Sequence, residues 1–343
     1  MTDMTSKIKA VMIGHAVGDA LGVPVEFCKR EQRKKQPVTD MMGYGTYPVP
    51  AGAWSDDTSM SIAALDSLAD GCLDFDGIMD NFIKWLSQDE YTPTGKTFDV
   101  GHTCLCAIRN RMKNQDLPAI QCGQGGEYAN GNGALMRIHP FVLYAYFVMP
   151  HETRDDHSLW MTLIRYASLL THAHDRSVMA CYIYGYILTS LLKEPTRESL
   201  AAGIQFAGED LNHLPEFEHY TRLFAPDFAA LPEDEIKSSG YVVDTLEAAV
   251  WCLLTTHSYR DCVLKAVNLG GDTDTVAAVA GGLAGALYGY EGIPQAWRET
   301  LIKREWIEEM CERAGSEWGL NAHRNDIELI VIRDSGDMKY STN

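Results

Sequence analysis

The 343-residue chain contains no CxxC pair, and its nine cysteines form an odd count without a regular framework, Cys104 and Cys106 being the nearest two. That argues against a disulfide scaffold or a cysteine-built zinc site, and leaves reduced thiols in a cytoplasmic protein as the expectation. Basic residues are scarce, with 29 Lys plus Arg against 47 Asp plus Glu and a net charge of −18. Such a surface repels a phosphate backbone, so nucleic acid is not an expected partner. One small anion in a locally metal-charged pocket is still compatible with it. The opening MTDMTSKIKA has no apolar leader core, and the apolar run Val276–Tyr288 is too short to cross a bilayer. No membrane segment is expected. Strand-like alternation is rare as well, its best case being Ile327–Ile332, and no internal repeat or low-complexity segment occurs.

What is abundant is helical periodicity. Ile8, Val11, Met12, Ala16 and Ala20 fall on one stripe of an opening helix. Further helices are expected over Met60–Leu68, Ile78–Leu86, Leu159–Leu170, Met179–Leu192, Asp244–Thr256 and Asp261–Val267, and again after Gly271. With 46% hydrophobic and 22% charged residues the chain reads as a globular all-α protein, an irregular helical bundle. One domain over 1–320, a polar tail over 321–343 and a monomeric state are expected. Two long Gly-rich loops, Pro37–Ala53 and Gln121–Gly133, are candidates for function. Pro215–Ser239 reads as an acidic surface excursion.

Chemistry gathers at five places. Ser55-Asp56-Asp57-Thr58 precedes an apolar helix, where an ordinary helix cap is the plain explanation. Gly270-Gly271-Asp272-Thr273-Asp274-Thr275 stands before a second helix built almost wholly of small residues. Two such clusters change the balance, because carboxylate and hydroxyl oxygens are hard ligands suited to Mg²⁺ or Mn²⁺. Aspartates meeting in one place also repel one another unless cations neutralise them. Gly131-Asn132-Gly133-Ala134-Leu135-Met136-Arg137 suits a sugar or phosphate contact, yet GNG is also a common turn. In Thr171-His172-Ala173-His174-Asp175 the HxH pair has no third zinc ligand at a recognised spacing, which favours capping or substrate-binding histidines. Finally, glycine at every fourth position from Gly14 to Gly22 prepares a close helix crossing, with Glu26 and Phe27 just beyond. Glu26 matters only if it faces the acidic clusters.

These five pieces, in this order from about Ile8 to Leu320, resemble the ADP-ribosylglycohydrolase family, which includes the dinitrogenase reductase-activating glycohydrolases. The resemblance implies an all-α fold holding two divalent ions, Mg²⁺ or Mn²⁺. The implied ligands are Ser55, Asp56, Asp57, Asp272, Asp274 and Thr275, with Asp274 as the bridge. Ser55 replaces the family's usual Thr. Glu26 matches the family's mobile glutamate, and Asp99-Val100-Gly101-His102-Thr103 resembles the Asp-Ile-Gly-x-Thr segment of the arginine-directed branch. Glu26 and Asp99 are therefore the catalytic candidates. Asp99, Gly101, Asn130, Gly131, Asn132, Gly133 and His172 are the substrate-binding candidates. Ala129 stands where many relatives carry Ser. The implied substrate is an ADP-ribosylated protein and the product ADP-ribose, released from arginine. The alternatives are another ADP-ribose linkage (serine, O-acetyl-ADP-ribose or a nucleic-acid base) or a non-catalytic ADP-ribose-binding or toxin-immunity protein. The intact acids speak against the last.

Overall fold

A computed structural model describes residues 3–149 and 157–321. Among them run fourteen α-helices: α1 (Asp3–Gly22), α2 (Arg30–Lys35), α3 (Asp56–Leu68), α4 (Phe75–Gln88), α5 (His102–Lys113), α6 (His139–Val148), α7 (His157–Leu169), α8 (Asp175–Lys193), α9 (Arg197–Leu211), α10 (Val242–Leu254), α11 (Tyr259–Asn268), α12 (Thr273–Tyr288), α13 (Gln295–Thr300) and α14 (Arg304–Asn321). The only β pairing among the described residues is two isolated bridges, Gln124 with His172 and Gly131 with Tyr241. The fold is all-α and single-domain, as the periodicity indicated. Ile327–Ile332 and most of the polar tail lie outside the described residues.

The architecture is organised around α1. Its periodicity suggested one apolar stripe, but every residue from Ile8 to Gly22 is buried. By length and composition this helix is apolar enough to cross a membrane, and it is instead enclosed on all sides by the protein's own helices. The closest neighbour is α12. A Cβ added at Gly18 would lie 2.1 Å from the Ala277 carbonyl oxygen, and one at Gly14 would lie 2.5 Å from that of Gly281. The reciprocal additions at Gly281 and Gly285 meet the Gly14 and Ala10 carbonyls at 2.3 and 2.0 Å. The two small-residue stretches seen in the sequence are thus each other's partners, and their backbones touch.

Boundaries moved where caps decided them. α3 begins at Asp56 rather than Met60, because Ser55 acts as N-cap and its Oγ accepts from the Asp57 N–H at 3.3 Å. That places Asp56 and Asp57 in the first turn, where the free N–H groups favour anions. The stretch 215–239 is less of an excursion than its acidity suggested. It forms short 3₁₀ turns, and Tyr220, Leu223, Phe228 and Ile236 are buried beneath it. Arg30 ties it down by donating to the carbonyls of Glu233, Ile236 and Leu269.

Candidate active site

Three chain segments converge at one end of the α1–α12 seam. The first is the start of α3, whose approach is set by Asp19 of α1. This carboxylate accepts from the backbone N–H of Ser55 at 2.9 Å, the N–H of Thr58 at 3.1 Å and the Thr58 hydroxyl at 2.6 Å. Burial pushes Asp19 up to about 7, against these hydrogen bonds. Asp19 is a residue to which sequence reasoning gave no role. The available signal was a lone acid in an otherwise small and apolar helix.

The second segment is the turn before α12. Gly270 and Gly271 have φ of +73° and +78°, conformations that favour glycine. Asp272 is the N-cap residue of α12 but makes no side-chain capping bond, so capping does not explain it. Its Oδ2 instead accepts from the Asn132 side-chain amide at 2.8 Å. Across the seam, the Thr275 hydroxyl donates to Asp57 Oδ2 at 3.3 Å, over a sequence separation of 218 residues. The two acidic clusters therefore do meet.

The third segment carries Glu26. The Phe27 N–H donates to the Gly271 carbonyl at 2.7 Å and the Gly271 N–H to the Cys28 carbonyl at 2.8 Å, so the Glu26 strand is clamped to the turn reciprocally. Ligand atoms of Glu26, Asp272 and Asp274 lie within 4.8 Å of one another. Glu26 thus faces the acids, and it joins their tightest group although it had been assigned a catalytic and not a ligand role. Burial, then the charges of Asp99 and Asp272, raise its pKa to about 9. Burial foremost and the neighbouring carboxylates next push Asp56, Asp57 and Asp274 well above the ordinary carboxylate range.

The chemistry of this donor set fits hard divalent cations. Asp57 Oδ1, both oxygens of Asp274 and Glu26 Oε2 are buried without any hydrogen-bond partner. Buried acceptors are almost always paired, and an orphaned anionic oxygen is especially costly. Several together describe a site for positive charge.

Glu26, Asp56 and Asp272 form one wall of a cleft of about 260 Å³, near the lower end of small-molecule sites. Glu26, Asp56, Asp99 and Asp272 line it with Gly101, Gly131, Asn132, Gly133 and His172, and no Lys or Arg is among its lining residues. The Gly101 N–H donates to Asp56 Oδ2 at 3.3 Å. The Tyr47 hydroxyl donates to Asp99 Oδ1 at 2.8 Å. Gly133 has to be glycine, since a Cβ there would lie 2.7 Å from Cys104 Sγ and 2.9 Å from His172 Cε1. Burial, then the Arg137 charge, lowers His172 to about 3, so it presents a neutral imidazole to the cleft. The other histidine of the pair, His174, is the N-cap of α8 and accepts from the Arg176 N–H. Of the roles expected for this motif, capping falls to His174, while His172 lines the cleft.

Two sequence-level assignments take a different form in space. Asn130 is absent from the cleft lining. Its side chain donates to the Glu127 carbonyl and accepts from the Ser177 hydroxyl, which makes it a brace of the glycine loop. Asn132 does line the cleft, but its amide is engaged by Asp272 and Thr245. It orients a carboxylate, a task that its turn-like motif did not reveal.

An all-α scaffold with paired Asp-rich helix N-termini facing a glycine loop defines the ADP-ribosylglycohydrolase class, and the family model for ADP-ribosylglycohydrolase matches residues 1–324. The chain belongs to that family and is an ADP-ribosylglycohydrolase. It is 32% identical to the ADP-ribosylarginine hydrolase Tri1 of Serratia proteamaculans, over 91% of this chain and 80% of that protein. It is 33% identical to the ADP-ribosyl-[dinitrogen reductase] glycohydrolase of Rhodospirillum rubrum, over 85% of this chain and 90% of that one. A solved structure described as an ADP-ribosylglycohydrolase-related protein complex superposes with a TM-score of 0.76 at 30% identity, covering 93% of this chain and all of the other.

The proton balance of the acids gives a first testable consequence. Without divalent ions, folded Asp19 and Glu26 hold protons up to about 7 and 9, and Asp56, Asp57 and Asp274 are raised as well. An acid whose folded pKa is raised stabilises fully below its unfolded value and loses that contribution as pH climbs through the folded one. Metal-free protein should therefore melt at progressively lower temperature from pH 7 to 9. The buried His15, His139 and His172 have lowered pKa values and are neutral across that window, so they do not oppose the trend. Cations replace the protons, and the gain in Tm on adding Mg²⁺ should grow with pH. Melting curves at fixed ionic strength, with EDTA or with Mg²⁺, check this; a Mg²⁺ effect flat across pH would contradict it.

Proposed function

We propose that this protein is a divalent-metal-dependent hydrolase that cleaves the N-glycosidic bond of ADP-ribosyl-arginine in modified proteins. The observation that carries the reading is the set of buried, unpartnered carboxylate oxygens on Asp57, Asp274 and Glu26. Of these, Glu26 lines a cleft that also holds Asp56, Asp272 and Asp99 of the arginine-type segment. Resemblance to proteins named ADP-ribosylarginine hydrolase and ADP-ribosyl-[dinitrogen reductase] glycohydrolase supports the same linkage.

Ser55, Asp56, Asp57, Asp272, Asp274 and Thr275 would hold two ions, Mg²⁺ or Mn²⁺, with Glu26 adjoining. When bound, the ions supply Lewis acidity and lower the pKa of water in the site. The chain's own groups do the rest. The backbone at Gly131 and Gly133 and the neutral His172 receive the ADP-ribose without adding charge. As the bond at the ribose anomeric carbon breaks, positive character grows on the sugar, and the acidic wall stabilises it. Glu26 and Asp99 handle the proton that the departing guanidine nitrogen requires. Nine unpaired thiols, Cys28, Cys72, Cys104, Cys106, Cys122, Cys181, Cys252, Cys262 and Cys311, support a cytoplasmic, reducing location. We take the working unit to be a monomer acting on an ADP-ribosylated protein and releasing ADP-ribose.

The test is a matched pair of peptides, one ADP-ribosylated on arginine and one on serine, each with Mg²⁺, Mn²⁺ or EDTA. Free ADP-ribose should appear from the arginine peptide at least about 100-fold faster and only with a divalent ion, a range accessible to positioned acid–base groups. Equal rates would overturn the linkage, and full activity in EDTA would overturn the metal requirement.

A further inference from the structure

The long Gly- and Pro-rich loop Pro37–Ala53 carries Tyr47, the partner of Asp99. Its contacts are specific. The Thr46 N–H donates to the Pro24 carbonyl at 2.9 Å, and the Thr46 hydroxyl to the Glu26 carbonyl at 2.8 Å. Gly45 lies against the same strand, where a Cβ would come within 1.8 Å of the Pro24 carbonyl oxygen. The next residue, Tyr47, reaches the other side of the cleft and donates to Asp99 Oδ1 at 2.8 Å. Its ring packs on Phe98 with centroids 5.0 Å apart, so the phenol is held from behind. Asp99 itself has φ of +52°, a backbone conformation that costs energy for a non-glycine residue and persists only where its surroundings impose it.

We infer that Tyr47 is a positioning residue for hydrolysis: its hydroxyl fixes the Asp99 carboxylate, while Thr46 anchors the Glu26 backbone from the same turn. The inference rests on the proposed role of Asp99. A phenol hydroxyl has one proton to give, and giving it to Asp99 Oδ1 leaves Asp99 Oδ2 to meet the substrate. A hydrogen bond to a charged acceptor is among the stronger ones in a protein, and a swinging carboxylate would lose the alignment on which proton transfer depends.

Tyr47→Phe removes the hydroxyl and keeps the ring on Phe98. On an ADP-ribosyl-arginine peptide with saturating Mg²⁺, kcat should fall roughly 10- to 100-fold, the worth of one hydrogen bond to a charged group. KM, Tm and Mg²⁺ affinity should stay within about two-fold or within error. Asp99→Asn and the double variant complete a cycle, in which the double variant should be no slower than Asp99→Asn alone. If Asp99→Asn is impaired while Tyr47→Phe keeps wild-type kcat, or if the two losses multiply, the positioning role is wrong. If Asp99→Asn is itself fully active, the proposed role of Asp99 fails first. A drop in Tm with equal losses in kcat and Mg²⁺ affinity would mark Tyr47 as merely structural and also overturn the inference.

Discussion

Asp274→Asn should abolish hydrolysis while leaving the protein folded, with kcat/KM falling by on the order of 10³-fold or more, as when a group that stabilises developing charge is lost. Asp274 is buried, both of its oxygens lack partners, and it is pushed well above the ordinary range by burial and by Glu26, Asp272, Asp99 and Asp57. In the absence of cations this carboxylate is a burden on the fold. Replacing it with a neutral amide removes repulsion and supplies donors to neighbouring acids, so the metal-free variant should melt at or above the wild-type temperature. The gain in Tm on adding Mg²⁺ should shrink sharply, because a ligand stabilises only to the extent that it binds. Calorimetric Mg²⁺ titration, melting with and without Mg²⁺, and release of ADP-ribose from an arginine-linked peptide measure the three effects. Full turnover with unchanged Mg²⁺ binding would remove Asp274 from the site. Loss of activity accompanied by unfolding would show instead that the carboxylate holds the structure.

The second large effect is expected from one carbon atom. At Gly22 an added Cβ would lie 2.3 Å from Asp274 Cα, 2.4 Å from its nitrogen and 2.4 Å from the Thr273 carbonyl oxygen. All three are backbone atoms and cannot rotate away, and the Thr273 hydroxyl is already bonded to the Gly22 carbonyl at 2.8 Å. Gly22→Ala must push α12 off α1 at the point where it delivers Asp274. The cost should reach about 3 kcal/mol, the upper part of the overpacking range. For a chain of 343 residues that corresponds to a fall in Tm of roughly 4 °C. Activity should drop about 100-fold in the fraction still folded, since misplacing a catalytic group by about an ångström costs that much. Gly319→Ala is the control. A Cβ there has nothing within 4 Å and the residue is helical, so it should stabilise by up to about 1 kcal/mol. If Gly22→Ala behaves like Gly319→Ala, the helices approach less closely than the structure shows.

The helices were legible in the sequence because apolar periodicity and cap residues are local signals. The two halves of the acidic site were legible as clusters for the same reason, each being a short acidic string at a helix start. What the string could not say was whether the clusters meet. The small-residue patterns at Gly14, Gly18 and Gly22 and at Gly281 and Gly285 held that information, but as two separate helix-packing patterns whose pairing only the structure supplies. Asp19 and Tyr47 escaped for a different reason. Their partners, Ser55 and Thr58 for one and Asp99 for the other, are distant in sequence; Asp19 sits within the glycine-spaced opening motif, whose evident role is helix packing, and Tyr47 belongs to no recognisable string. Asn132 lines the cleft, but its bond to Asp272 was not legible, because a GNG turn looks the same whether or not its amide meets a distant carboxylate.

The seam between α1 and α12 also has a consequence for how the molecule comes into being. The bond from Thr273 to Gly22 closes a separation of 251 residues, and that from Thr275 to Asp57 one of 218. Contacts so distant along the chain form late and slowly, since a long loop must be closed before they return any energy. On the ribosome, α1, which is largely apolar, must therefore wait for α12 until most of the polypeptide has emerged. The acidic clusters can then come together only in the closing stage of folding, when the last long helices dock.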